Sequence, residues 1–321
     1  MEEPAGWTHQ TAQTPERRSG SRGFHVRTVT VPLVFILIHF IVVNVVSIAY
    51  LLIVLALQSA SGMLNMLDIL TDADALVGMV QEHYPVITII YAAFLIPVYA
   101  LYLRHARQKD ERALLTESVR LTDILPGLAM AVGALGLTNL YFVLLTRLAE
   151  SIPFVASQMD AYEKLSASFS PKNGLGFLIV GISIMAPVTE ELLFRGIVQG
   201  ELRKAMPESA AVLIQAVVFA AYHLQPIQSS YALIPGLLLG MAYAWSRSIW
   251  VPIAMHMFFN FLGSILPVLA GTDEYLGQVA ATAQVGFIAA GALAGVFFYM
   301  NRRRGLDRLK VTDNIQTGQG A

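Results

Sequence analysis

The chain contains no cysteine. That absence excludes disulfides, thiolate metal ligands, a cysteine nucleophile and any lipid anchor on sulfur. Charge is scarce too: 13% of the 321 residues are Asp, Glu, Lys or Arg, against 55% hydrophobic. Soluble domains carry charge on about a quarter of their residues, so this chain has too little polar surface to stay in water as a globule. Its net charge of −1 carries no signature of nucleic-acid binding, and no nucleic-acid partner is expected. Three catalytic patterns are also missing: Gly-x-Ser-x-Gly, Gly-x-Gly-Asp and the His-Glu-x-x-His zinc helix.

What the chain does have is long apolar runs. A membrane-spanning helix needs about 20 mostly apolar residues. Uncharged stretches of that kind lie at 28–57, 84–103, 124–146 and 173–189. The uncharged run 209–246 is split in two by the polar, Pro-containing segment Gln225-Pro226-Ile227-Gln228-Ser229-Ser230, and two more runs follow at 248–272 and 275–301. The expected fold is therefore all-α, a polytopic membrane helix bundle of about eight transmembrane helices. The run 28–57 is too long for a signal-peptide core of about 7–15 residues and reads as an anchor.

Lys and Arg, which play no part in placing the spans, test them. Cytoplasmic loops hold the excess of basic residues. With the N-terminus inside, every Lys and Arg except Arg147, Lys164 and Lys172 falls in an inner segment, and the outer loops hold Asp68, Asp72, Asp74, Glu82, Asp273 and Glu274. Both termini are expected in the cytoplasm. The organisation is a disordered tail over 1–27, three helices within 28–146, an external loop or interfacial amphipathic helix at 147–172, a five-helix membrane domain over 173–301, and a basic tail over 302–321.

Ionisable groups inside a bilayer cost about 2.5–3.5 kcal/mol each on insertion scales, and function is the default reading for them. The first three spans hold one, His39, read as an interhelical hydrogen-bonding residue. The others concentrate in Thr189-Glu190-Glu191-Leu192-Leu193-Phe194-Arg195, at His223, and in His256-Met257-Phe258-Phe259-Asn260. If the Glu190 helix runs on to Met206-Pro207 and a new one starts near Ser209, Glu190 and His223 lie level on antiparallel neighbours. His256 and Asn260, spaced i, i+4, share a helix face.

Chemical type suggests roles. Glu191 and Arg195, i and i+4, neutralise each other and fix the helix. Glu190 points about 100° away, and a carboxylate held partly from water suits a general base. His223 shares its proton or holds the water, while His256 and the Asn260 amide donate to an oxyanion. These are the parts for hydrolysing an amide. Phe219 reads as packing, and Gly236 with Gly240 as a close helix contact.

The pattern Glu190-Glu191…Arg195, Phe219…His223 and His256…Asn260, in order on separate spans, resembles the CPBP family of intramembrane proteases, which includes the type II CAAX prenyl endopeptidases. The resemblance covers about 174–268. It implies an α-bundle that cleaves a membrane-associated peptide or protein, with Glu190 as base and His223, His256 and Asn260 completing the site. Family members divide between metalloprotease and metal-free glutamate mechanisms, and both stay open. Glu190, His223 and His256 match the ligand count of a catalytic Zn²⁺ or another divalent ion. Two rivals from other classes are a non-catalytic membrane partner or immunity protein that keeps the fold, and a proton-coupled transporter.

Overall fold

The structure, a computed structural model, describes residues 23–62, 71–110, 113–167, 174–270, 283 and 285–302. The expected N-terminal tail up to residue 22, the outer acidic residues Asp68, Asp273 and Glu274, and the tail from 303 lie outside them. Among the described residues the chain is helical, with one isolated β-bridge, Thr116 to Ser248.

In chain order the helices are α1 (Val26–Ala60), α2 (Ala73–Lys109), α3 (Leu121–Ala149), α4 (Pro153–Ala167), α5 (Leu175–Ala205), α6 (Glu208–Tyr222), α7 (Pro226–Ser246), α8 (Trp250–Leu269) and α9 (Val285–Arg302). Six of these, α1, α2, α3, α5, α8 and α9, are long and apolar enough to cross a membrane. The expected count of eight therefore stands at six by that measure. The 15 residues of α6 reach about 22 Å at 1.5 Å per residue, short of the ~30 Å hydrocarbon core. The 21-residue α7 starts on the polar Gln225–Ser230 stretch.

Two helices extend more than a dozen residues beyond their uncharged runs. α2 extends the expected 84–103 at both ends, to Ala73 and to Lys109. α5 continues the expected 173–189 straight through the Glu190–Arg195 cluster to Ala205 and breaks at Met206-Pro207, after which α6 begins at Glu208. The segment 147–172 contains the helix α4, whose Tyr162 hydroxyl lies 3.2 Å from that of Tyr231 on α7.

The bundle is outlined by what it buries. α1 turns Leu33, Leu37, Phe40, Val45, Ile48 and Leu52 outward and buries His39, Leu51 and Leu55. The largest apolar core lies where α2, α5 and α6 meet, built from Tyr91, Leu95, Tyr99, Leu103, Leu193, Phe194, Ile197 and Phe219. α5 approaches α2 so closely at Gly181 that a Cβ there would stand 2.3 Å from the Pro85 carbonyl oxygen. α7 lies against α6 in the same manner: a Cβ on Gly236 would meet Phe219 at 3.1 Å, and one on Gly240 would meet Gln215 Nε2 at 2.5 Å. The Gly236–Gly240 contact read from spacing is thus the α6–α7 seam.

Candidate active site

The site is set up by irregular helix. In α5 the Glu190-Glu191 pair sits between two π-helical stretches, Ile179–Met185 and Leu192–Gln199. Such stretches recur at functional sites. In a π turn each N–H bonds the carbonyl five residues back, so Ile182 should receive residue 187. That residue is Pro187, which has no N–H, and the N–H of Ala186 goes instead to Gly181. The orphaned Ile182 oxygen is taken by Asn260, whose Nδ2 donates to it at 3.0 Å. Asn260 closes the regular part of α8, just before a π stretch at Phe261–Ile265. This bond ties the two helices that carry Glu190 and His256.

The expected Glu191–Arg195 pair is present, Nη1 to Oε1 at 2.8 Å, with both side chains fully buried. Arg195 spends its second arm on the Gly236 carbonyl at 3.1 Å, and its guanidinium lies 4.7 Å above the Phe219 ring. The pair is not self-contained, however. His256 Nδ1 lies 2.7 Å from the same Oε1 of Glu191. Because Arg195 already donates to that oxygen, Oε1 is an acceptor, and the proton between Glu191 and His256 lies on Nδ1.

With Nδ1–H committed to Glu191, Nε2 is the nitrogen left to face Glu190. The ring donates to an oxyanion from there when Nε2 also carries a proton. Nε2 faces Glu190 Oε2 at 3.9 Å, too far for a direct hydrogen bond. A single water placed beside that line can still reach both atoms. Glu190 is the outward member of the pair, its side chain 20% exposed against 0% for Glu191.

His223 is placed by the break after α6. Pro226 holds Gln225 extended, Leu224 turns left-handed at φ 59°, and α6 ends at Tyr222 with His223 as its cap. The His223 N–H bonds Ala220 rather than Phe219. The freed Phe219 carbonyl, one of the orphans at a helix end, instead accepts from His223 Nδ1 at 2.9 Å. A carbonyl only accepts, so Nδ1 carries a proton here as well, and Nε2 is left outside this bond.

Phe219 does more than pack. Its ring meets His223 edge-on at 4.9 Å between centroids and His256 at 6.0 Å, and it carries Arg195 on its face. Spacing alone did not reveal a second set of neighbours. Tyr84, Tyr91, Tyr222 and Tyr231 lie in the neighbourhood of Glu190. They come from α2, α6 and α7, and no local spacing links them. His39, read as an interhelical hydrogen-bonding residue, is buried against Tyr91, Tyr99 and Tyr222, but its Nδ1 has no hydrogen-bond partner among the described residues.

Among the described residues no three His, Cys, Asp or Glu side chains form a group fit to hold a metal ion. The expected set of Glu190, His223 and His256 does not gather as ligands. Glu190 Oε2 and His256 Nε2 stand 3.9 Å apart, and the Phe219 ring lies nearly perpendicular to both imidazoles.

Comparison with known proteins bears on the same stretch. Residues 172–262 match the family described as "Type II CAAX prenyl endopeptidase Rce1-like", so the resemblance read from the three motifs is shown over that segment. The chain is 32% identical over 101 residues to the "Putative membrane peptidase YdiL" of Bacillus subtilis, covering 32% of this chain and 41% of that protein. It is 30% identical over 118 residues to the "Membrane-embedded CAAX protease MroQ" of Staphylococcus aureus, covering 33% of this chain and 44% of that protein. The chain thus spans less than half the length of these curated relatives. No solved structure matches it. Six apolar helices of spanning length and the match over 172–262 support an integral, multi-pass membrane protein.

Proposed function

We propose that this protein is an intramembrane endopeptidase that hydrolyses a peptide bond of a membrane-associated or lipidated substrate with a water activated by Glu190. The observation that carries the proposal is the position of His256, held at Nδ1 by Glu191 and turned at Nε2 toward Glu190. Two acceptors 3.9 Å apart suit one water that donates a hydrogen to each and keeps its lone pairs for attack.

The steps then follow from the residues present. Water attacks the peptide carbonyl as Glu190 takes its proton, giving a tetrahedral oxyanion and a protonated carboxyl. The second N–H of the Asn260 amide, the first being bound to Ile182, donates to the oxyanion, and so does His256 if it shares the proton. Collapse breaks the C–N bond, and the proton held by Glu190 passes to the leaving amine. Glu191 and Arg195 touch no reacting atom; they fix the tautomer and direction of His256. His223, its Nδ1 anchored, offers Nε2 to the water or to the carboxyl that shares its proton. We place the site toward the cytoplasmic half of the bilayer, because α8 starts at Trp250, on the side expected from Lys and Arg to be inner, and carries His256 within its first two turns.

The experiment is comparative membrane proteomics of cells carrying the wild type or Glu190→Gln, looking for a peptide bond cut only by the wild type. Identical cut-site profiles would remove the peptidase reading.

A further inference from the structure

We propose that a groove between α2, α5 and α8, separate from the hydrolytic site, binds an anionic phospholipid. The groove encloses a cavity of about 650 Å³, within the usual range for small-molecule sites. Its walls are apolar: Ile96 and Leu103 from α2, Val188 and Leu192 from α5, and Ile253 from α8. At its mouth stand Arg104 and Arg107, one turn apart on α2. Both are exposed. Among the described residues neither guanidinium has an acidic partner, whereas Arg195, Arg203, Arg247 and Arg302 each do.

A basic last turn on a spanning helix is by itself a topology signal and a favourable end for the helix dipole. The cavity beneath it adds something more. Unpaired guanidinium forks suit a phosphate's oxygens, and basic pockets between spanning helices bind lipid headgroups. Trp250, 59% exposed on the groove's rim, has the amphipathic ring that settles at the membrane–water interface. The headgroup level and the apolar depth therefore coincide with those of a lipid in the leaflet: phosphate on Arg104 and Arg107, acyl chain against Leu103, Val188 and Ile253.

The groove lies on the far face of α5 from Glu190, since Val188 and Leu192 are i, i+4 with Glu190 midway between them, about half a turn around. A bound chain would buttress α5 and α8 from outside without entering the site. Its binding does not depend on the peptidase reading.

The test uses the full-length protein in detergent, titrated with phosphatidylglycerol or phosphatidylcholine and read by native mass spectrometry and thermal melting. Phosphatidylglycerol should bind at least about ten-fold tighter than phosphatidylcholine and raise the wild-type melting temperature more. The double variant Arg104→Gln/Arg107→Gln should erase that preference. Ala100→Trp, which fills the groove from the exposed side of α2, should remove binding while leaving both arginines in place. Equal affinity for the two lipids would overturn the proposal. So would full binding by Ala100→Trp, which would mean attraction to surface charge alone. Displacement of the lipid by a short peptide with a free C-terminal carboxylate, but not by its amide, would also overturn it and make the groove a peptide subsite.

Discussion

His256 gives its Nδ1 edge to Glu191 at 2.7 Å, which leaves the opposite nitrogen of the ring facing Glu190. One of two adjacent glutamates thus orients the imidazole, and the other stands 3.9 Å from its far nitrogen. Replacing Glu191 with Gln keeps an amide oxygen that can accept from both Arg195 and Nδ1, whereas Glu191→Leu removes that acceptor and frees the ring. Cleavage per folded molecule should fall by about 10²-fold in Glu191→Leu and by less in Glu191→Gln, with little change in substrate affinity. Wild-type turnover by Glu191→Leu would show that this bond does not orient the ring.

Arg195→Met should act on the fold before it acts on rate. The guanidinium has 0% side-chain exposure, and removing it leaves the Glu191 charge buried with His256 as its remaining partner. Breaking a buried pair from one side costs about 3–5 kcal/mol. A lowered melting temperature of the purified protein is the readout, and an unchanged one would contradict the pairing.

Asn260 and Pro187 are coupled through the Ile182 carbonyl. Asn260→Ala leaves that oxygen unpaired and should destabilise the protein by about 1–3 kcal/mol. Pro187→Ala restores an N–H five residues after Ile182, so the double variant should recover part of the loss. A double-mutant cycle measures the coupling; strictly additive effects would mean that the proline does not create the vacancy filled by Asn260.

Much of this was legible in the sequence, and the remainder failed for a physical reason. The charged cluster, the break at Met206-Pro207 and the small-residue seam at Gly236 and Gly240 are local patterns, and each is where it was expected. The link from Glu191 to His256 crosses 65 positions and lies hidden behind the i, i+4 pair with Arg195, which looks complete by itself. The role of Asn260 is hidden in the same way, because it depends on a π turn that no spacing announces. Among the described residues the span count came out lower because α6 is apolar but short and α7 begins on the polar Gln225–Ser230 stretch, whereas absence of charge was the quantity counted.

Outside the membrane helices, Glu117 gathers two cations, Arg247 and Arg302, the latter at 3.1 Å. Partial burial pushes its carboxyl upward, but hydrogen bonds and charge from Arg247 and Arg302 outweigh that and hold it below its ordinary value. A depressed carboxyl contributes stability that is present above the ordinary pKa, about 4.3 for Glu, and lost as pH falls through the lower folded value. Melting curves of wild type and Glu117→Gln should therefore differ near neutrality and converge in acid below about pH 4. The gap should be small, since about half of the side chain is exposed and surface pairs contribute little.

The most direct measurement is the turnover of a defined membrane peptide by purified, reconstituted wild type and Glu190→Gln, with melting temperatures recorded on the same samples. Loss of about 10²–10⁴-fold in rate at an unchanged melting temperature is the expected result. Equal turnover by the two proteins would contradict the assignment of Glu190 as the base that activates water.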